Sequence, residues 1–191
     1  MNLIEKIARD ASNRRYAAHT RKSIQWFRER IKGISRVNRN QLLENQRFQK
    51  RSAPKIGNMY HFFYDPKHKE TLPYYDRFPL IFMVGPAKDG FYGLNLHYLA
   101  PRERAIFFER LMALRNNDKL NASTRLKLSY NILQAASKLK QFQPCFKHYL
   151  FNHVKSQTVE IPAVDWEVVL FLPTDSFVYK SRQQVWKKSS I

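Results

Sequence analysis

The segment from Met59 to Pro101 constrains the fold most strongly, because apolar runs, aromatic residues and turn residues alternate within it. Met59–Tyr64 and Leu80–Val84 predict strands, and an Asp-Gly turn signal lies in the connection after the second strand. Phe91–Leu99 predicts the return strand, with His97 on its polar side. Three short strands joined by tight turns indicate a small antiparallel sheet or part of a barrel.

The residues after this segment favour helices. Arg104–Leu114 carries a broad apolar stripe, and a second helix capped by Asn121 or Ser123 presents two apolar faces. The remaining predictions are a helix near Pro144–Val154, an edge strand at Thr158–Ile161, a strand or short helix at Asp165–Leu172, and a basic, exposed helix at Thr174–Lys188. The sequence therefore predicts one α+β domain over 53–191, mainly strands over 53–100 and mainly helices over 101–191.

Residues 1–52 differ from the rest in charge. They hold 14 Lys and Arg and only 4 acidic residues, a net charge of +10. Apolar spacing predicts helices over Leu3–Ala8 and Thr20–Lys32, the second with Ile24, Phe27 and Ile31 on one face. We expect a basic helical arm that orders against a partner subunit or nucleic acid, because its apolar content is low. The alternative is a basic helix packed on its own domain.

The whole chain carries a net charge of +19 and a pI of about 10.2. A charge of this size favours a polyanionic partner, and nucleic acid is the first expectation. An acidic protein surface inside a large assembly is the alternative. No apolar run approaches the ~20 residues of a membrane span, so we expect no membrane partner. The N-terminus lacks the pattern of a signal peptide. The single cysteine, Cys145, excludes an internal disulfide and fits a reducing cytoplasm.

Acidic and histidine side chains cluster within the central segment. A metal-dependent nuclease using Asp65, His68 and Asp76 is one hypothesis, but their spacing is not a metal signature and the acids suit turns. Cys145 and His148 form a conceivable nucleophile–base pair, although a core cysteine is the simpler interpretation. No glycine-rich phosphate loop and no H-E-x-x-H motif occurs, so we expect no enzyme activity, no cofactor and no metal.

Basic residues interleaved with an aromatic residue in the first 40 positions form the candidate nucleic-acid site. The residues are Arg14, Arg15, Arg21, Lys22, Trp26, Arg28, Arg30, Arg36 and Arg39. Their cations would contact phosphates and the indole would stack or pack. No recognition-helix or RNP-type motif occurs, so duplex binding would be independent of sequence. The alternative is a solvated charged face.

Three sequence segments resemble a family of virion proteins of T-even-like contractile-tailed phages. They are Y-D-P-K-H-K-E-T-L-P-Y-Y-D-R-F-P-L (64–80), G-F-Y-G-L-N-L-H-Y-L (90–99) and L-F-L-P-T-D (170–175). Within these phages the chain is most similar to DNA end protectors, head-completion proteins that guard the ends of packaged DNA. Small tail or baseplate hub proteins are the other group.

This resemblance implies a non-enzymatic virion protein with assembly partners in the head, neck or tail. It transfers no catalytic residue. Together with the charge, it predicts a protein made in the host cytoplasm that contacts packaged double-stranded DNA. The alternatives are a baseplate or hub component bound to acidic neighbours, and the nuclease.

Overall fold

The computed structural model describes residues 2–188, apart from the side chains at positions 125, 126 and 137, as an α+β fold. The helices are α1 (Leu3–Asn13), α2 (Arg21–Ile31), α3 (Arg39–Leu43), α4 (Pro101–Arg115), α5 (Ala122–Lys138), α6 (Trp166–Phe171) and α7 (Arg182–Trp186). The strands are β1 (Gln49–Arg51), β2 (Met59–His61), β3 (Tyr75–Asp76), β4 (Leu80–Ala87), β5 (Gly90–Asn95), β6 (Phe146–Leu150), β7 (Thr158–Ile161) and β8 (Phe177–Val178). The predicted fold class is confirmed. Over the described range, no helix combines the length and apolar character needed to cross a membrane.

The main sheet has the strand order β1-β7-β2-β4-β5-β6, and its neighbours pair antiparallel. Strands β1 and β6 lie at opposite edges and do not pair with each other, so the sheet is open rather than a barrel. Strands β3 and β8 form a separate two-stranded ladder. The sheet thus joins the central segment to one strand that precedes it and two strands that follow it in the sequence.

A hairpin of β4 and β5 forms the middle of this sheet, as the Asp-Gly signal predicts. Gly90 opens β5 opposite Leu150 of β6. A Cβ atom at position 90 would lie 1.9 Å from the carbonyl oxygen of Tyr149, so only glycine allows the two backbones to approach this closely.

The two faces of the sheet bury different side chains, because successive residues of a strand point to opposite sides. From β4, Leu80 and Phe82 enter the large core under the helices, whereas Ile81 and Met83 enter a smaller core. The smaller core is mainly aromatic, and its members are Tyr60, Phe62, Tyr64, Ile81, Met83, Phe91 and Tyr149. The helices therefore cover one face, and the aromatic cluster fills the other.

The helices of the N-terminal segment pack on the chain's own large core. Apolar residues of α1 and α2 are buried there, namely Ile4, Ile7, Ile24, Phe27 and Ile31. Strand β1 then pairs with β7. Of the two arrangements that the sequence left open, the structure has the second, in which the basic helices pack on their own protein. The division of the chain at residue 52 into an arm and a domain stays a prediction.

The predicted helix near Pro144–Val154 is wrong. A 3-10 turn over Gln143–Cys145 leads into strand β6, and a second 3-10 turn follows over Phe151–His153. The residues of β6 pair with β5 over five positions. Pairing with an available strand edge outweighs the weak local helix signal of this aromatic-rich segment.

Three smaller predictions also need correction. Strand Thr158–Ile161 forms, but it lies between β1 and β2 and is not an edge strand. The segment Thr174–Lys188 is helical only over α7, because β8 pairs with β3. The return strand ends at Asn95, and a 3-10 turn then buries His97, which was expected on a polar face. Long-range pairing and burial decided each case.

Candidate nucleic-acid interface

The corner between α1 and α2 positions the first predicted basic residues. Arg14 caps the C-terminal end of α1, and Arg15 adopts a left-handed φ of 54° that turns the chain away from the helix. Thr20 then begins α2 with a capping box to Ser23. The buried Glu167 of α6 accepts hydrogen bonds from the Ser23 hydroxyl and, at 3.0 Å, from the backbone N–H of His19. The corner is thereby fixed to the core.

Trp26 is the centre of the first group of predicted residues. It packs edge-on against Phe27 at 5.0 Å, and the Arg14 guanidinium carbon lies 5.7 Å from its ring centroid. Lys22 and Arg30 lie one helical turn on either side of Trp26. Arg30 also donates to Asp10 of α1 at 3.1 Å. We call Arg14, Arg15, Lys22, Trp26 and Arg30 the N-terminal basic surface; Arg14, Arg15 and Lys22 are exposed.

Arg21 and Arg28 lie on the opposite flank of α2, next to α4. The Nε atom of Arg21 is 3.9 Å from Glu109 Oε2, and the Arg28 Nη2 atom is 3.7 Å from Glu29 Oε1. These arginines lie on the α4 side of α2, whereas Trp26 lies on the side toward Arg14. Exposed pairs of this kind contribute little to stability, so both cations remain able to contact an anion.

Arg36 and Arg39 follow α2 and differ in their exposure to solvent. Arg36 is exposed. Arg39 is partly buried and donates its Nε proton to the Thr174 carbonyl oxygen at 2.8 Å and a second proton to the Asp175 carbonyl oxygen. Two of its donors are therefore engaged in tying α3 to the segment after α6.

A second group of basic and aromatic side chains surrounds a cavity of about 260 Å³. We call this cavity the lysine–tyrosine pocket; its lining includes Lys67, Tyr74, Tyr98, Lys147, His148 and Tyr149. The Lys147 Nζ atom lies 4.4 Å from the Tyr98 ring centroid, and the Tyr74 and Tyr98 rings are 5.8 Å apart. Lys180 and Lys188 place their Nζ atoms 4.9 and 5.2 Å from the Tyr74 centroid.

Sequence reasoning missed this pocket as a unit. Lys147 falls within the helix predicted near Pro144–Val154, but strand β6 places it beside Tyr98 instead. Lys67 and Tyr74 come from the segment before β3, and Tyr98 comes from the turn after β5. The two lysines over the Tyr74 ring come from the C-terminal segment and lie beside the cavity lining. The available signal was local: lysines stand near tyrosines in both K-H-K-E-T-L-P-Y-Y (67–75) and Y-K-S-R (179–182).

The three nuclease candidates have different surroundings. Asp65 forms an ion pair with Lys69, whose Nζ atom is 2.9 Å from Oδ1. His68 and Asp76 both line the lysine–tyrosine pocket, but Asp76 is buried and bound to His97. Among the described residues, no group of three or more His, Cys, Asp or Glu side chains is arranged to hold a metal ion. The structure thus assigns Asp65 and Asp76 to separate interactions.

Asp76, His97 and Thr174 form a buried hydrogen-bonded chain. Asp76 Oδ2 is 2.7 Å from His97 Nδ1, and His97 Nε2 is 2.9 Å from the Thr174 hydroxyl. Burial acts to raise the pKa of Asp76, but His97 and the backbone N–H groups of Ser176 and Phe78 outweigh it and lower that pKa to about 2. The order of groups is that of a hydrolase triad. Because all three side chains are buried, the chain joins β3 to the segment after α6 instead of presenting a nucleophile.

The pair formed by Cys145 and His148 does not have the arrangement of a reactive thiol. Cys145 is buried in a 3-10 turn and His148 lies on β6, so the expected helical spacing is absent. Burial raises the pKa of Cys145 to about 12, which keeps the thiol protonated at neutral pH. Cys145 therefore acts as a core side chain.

The fold and the two surfaces define an α+β protein in which exposed and partly buried cations lie beside aromatic rings. This combination is typical of nucleic-acid-binding proteins. The chain belongs to the family described as phage T4 terminal DNA protecting proteins, whose family model matches residues 1–189. The resemblance to DNA end protectors of T-even-like phages is thereby confirmed. Comparison with curated proteins gave no match, and neither did comparison with solved structures.

Proposed function

We propose that this protein is a non-enzymatic virion component that guards the ends of packaged double-stranded DNA. It contacts the duplex without sequence preference. The observation that carries this proposal is the charge of +10 over residues 1–52 in a chain of the terminal DNA protecting family. Clustered cations attract a phosphate backbone regardless of base sequence.

The N-terminal basic surface is the proposed duplex contact. Its position supports this role, because Glu167 and Phe27 fix the corner and Trp26 to the core while Arg14, Arg15 and Lys22 remain exposed. Because the backbone that carries these long cationic side chains is already fixed, contact with phosphates costs little additional conformational entropy. Arg21, Arg28 and Arg36 would extend the contact on the other flank of α2, whereas Arg39 supports the fold with two of its donors.

A salt titration tests the proposal. The purified protein is titrated into a labelled blunt duplex at increasing salt concentration, with fluorescence anisotropy as the readout. We expect the logarithm of the binding constant to fall linearly with the logarithm of salt concentration, and the affinity to be equal for duplexes of unrelated sequence. A second assay adds a double-strand exonuclease and measures survival of the duplex ends. Absence of binding at low salt, or binding without a salt slope, contradicts the proposal.

The same experiments address the alternative of a baseplate or hub component. Such a protein would bind acidic neighbours and not DNA, so its charge would give no duplex affinity. Locating the protein in purified heads or purified tails separates the two assignments. We expect it in heads, beside the DNA end.

A further inference from the structure

We infer that the lysine–tyrosine pocket binds the terminal nucleotide of a DNA strand, with the base against the Tyr74 ring and the phosphate on the surrounding lysines. This inference rests on the proposed function and assigns the recognition of an end to a second site, separate from the N-terminal basic surface. The argument has three parts: charge, aromatic surface and size.

The lysines that line the pocket or lie over Tyr74 have no ion-pair partner among the described residues. Among residues 2–188, no carboxylate forms an ion pair with Lys67, Lys147, Lys180 or Lys188. Lys147 is partly buried, and burial lowers its pKa. A bound anion would offset the free-energy cost of burying this ammonium group, because an opposite charge favours the protonated form. A phosphate group carries the required charge and several acceptor oxygens.

Asp76, which lines the pocket, and Asp89, which lies beside His148, do not form ion pairs with these lysines. The Asp76 carboxylate accepts hydrogen bonds from Asn95 Nδ2 at 3.2 Å and from the Ser176 backbone N–H at 2.9 Å, in addition to His97. Its acceptor sites therefore point to groups within the core. Asp89 is exposed and lies 3.4 Å from His148 Nε2, at the rim. The ammonium groups around Tyr74 remain available to a ligand.

The aromatic surface suits a base. Tyr74 is partly buried, and Lys180 and Lys188 both lie over its ring. Lysine side chains are flexible, so an incoming base can replace an ammonium group on the ring while that lysine turns to the phosphate. Stacking of a base on an aromatic side chain does not depend on base identity, which fits a protein that must accept any end.

The size of the pocket favours one nucleotide at an end over an internal stretch of DNA. A cavity of about 260 Å³ is close to the lower limit of ~300 Å³ for small-molecule sites, so it can hold one base but not a stretch of duplex. An internal base must leave two stacking partners to enter a pocket, and this costs a few kcal/mol. A terminal base has one stacking neighbour, so it enters at lower cost.

Competition between two forms of one duplex tests the inference. One form is a blunt duplex with 5′-phosphates, and the other has both ends closed by non-nucleotide linkers. We expect the wild-type protein to bind the open form between about fivefold and about a hundredfold more tightly, the worth of one stacked base. The variants are Lys147→Gln and the double variant Lys180→Gln with Lys188→Gln. Thermal melting verifies that each is folded.

Each outcome has a defined meaning. The inference expects either variant to lose most of the preference for open ends while its affinity for the closed duplex changes little. If the wild type binds both forms equally, the pocket does not recognise DNA ends and the inference is overturned. The proposed duplex contact through the N-terminal basic surface is not affected by that result. If both folded variants keep the wild-type preference, the lysines serve another anion, such as an acidic segment of a neighbouring protein, and the inference is overturned. Failure to bind either form overturns the proposed function itself.

Discussion

The guanidinium group of Arg14 lies over the indole ring of Trp26, with 5.7 Å between the Arg14 Cζ atom and the ring centroid. This contact joins the end of α1 to the middle of α2. Trp26 packs edge-on against the buried Phe27, so the ring that contacts Arg14 is fixed in position. A cation placed in this way is pre-ordered for a phosphate and keeps its exposed edge toward solvent.

Replacing Arg14 and Lys22 together by glutamine is expected to weaken duplex binding and to make its salt dependence shallower. Each lost phosphate contact removes roughly 0.9 from the slope of log K against log salt, so the double variant should lose about 2. Anisotropy titrations over a salt series measure the slope. Lys88→Gln is the matched control, since Lys88 is an exposed lysine in the turn of the β4–β5 hairpin. An unchanged slope in the double variant would remove Arg14 and Lys22 from the interface.

Gly90→Ala is expected to destabilise the fold strongly. Its Cβ atom would lie 1.9 Å from the Tyr149 carbonyl oxygen, so β5 and β6 must separate. The loss should reach about 3 kcal/mol or more, at the upper end of overpacking effects. Urea denaturation of both variants measures it, with Gly33→Ala as the control because no heavy atom lies within 4 Å of the added Cβ. Equal midpoints for the two variants would mean that β6 does not pair closely with β5.

Asp76→Asn is expected to cost about 3 kcal/mol of folding free energy, because it leaves buried hydrogen-bond donors without an acceptor. An amide has one acceptor oxygen, whereas the carboxylate now serves His97, Asn95 and two backbone N–H groups. Asp65→Asn is the matched control, because Asp65 pairs with Lys69 at the surface and should be nearly neutral. Chemical denaturation at neutral pH compares them. A nuclease centre would show the opposite pattern, with both variants folded normally and cleavage lost in each.

His61 is expected to make the protein less stable as the pH falls below about 6.5. Burial is the main cause that lowers its pKa from 6.5 to about 3 in the folded state. The unfolded chain therefore binds a proton between pH 6.5 and 3 that the folded protein excludes. The free energy of unfolding should fall by up to about 1.4 kcal/mol per pH unit through this range.

A variant at position 61 checks this dependence. The His61 Nδ1 atom lies 2.9 Å from the Pro79 carbonyl oxygen, so the amide of His61→Asn can donate there without titrating. Urea denaturation between pH 3 and 7 should show a flatter profile for this variant than for the wild type. His148→Asn, at an exposed histidine, is the matched control. Parallel profiles for wild type and His61→Asn would assign the acid sensitivity to other groups.

The elements that the sequence predicted well are those whose signals are local. The buried face of α2 follows from Ile24, Phe27 and Ile31 at helical spacing, and the β4–β5 hairpin follows from its Asp-Gly turn. Strand β6 was predicted as a helix, because its five residues have only a weak local preference for either conformation. Its conformation depends on the free edge of β5, which lies more than 50 positions away in the chain.

The sequence by itself determined the charge, the α+β class and the basic character of the first 52 residues. Each of these depends on composition or on short periodic patterns. The tertiary structure alone decided which cations lie beside which rings. Lys147 meets Tyr98 only because β6 pairs with β5, and Lys180 meets Tyr74 where the chain continues beyond the β3–β8 ladder. Such contacts depend on burial and strand pairing between distant segments, for which no local pattern exists.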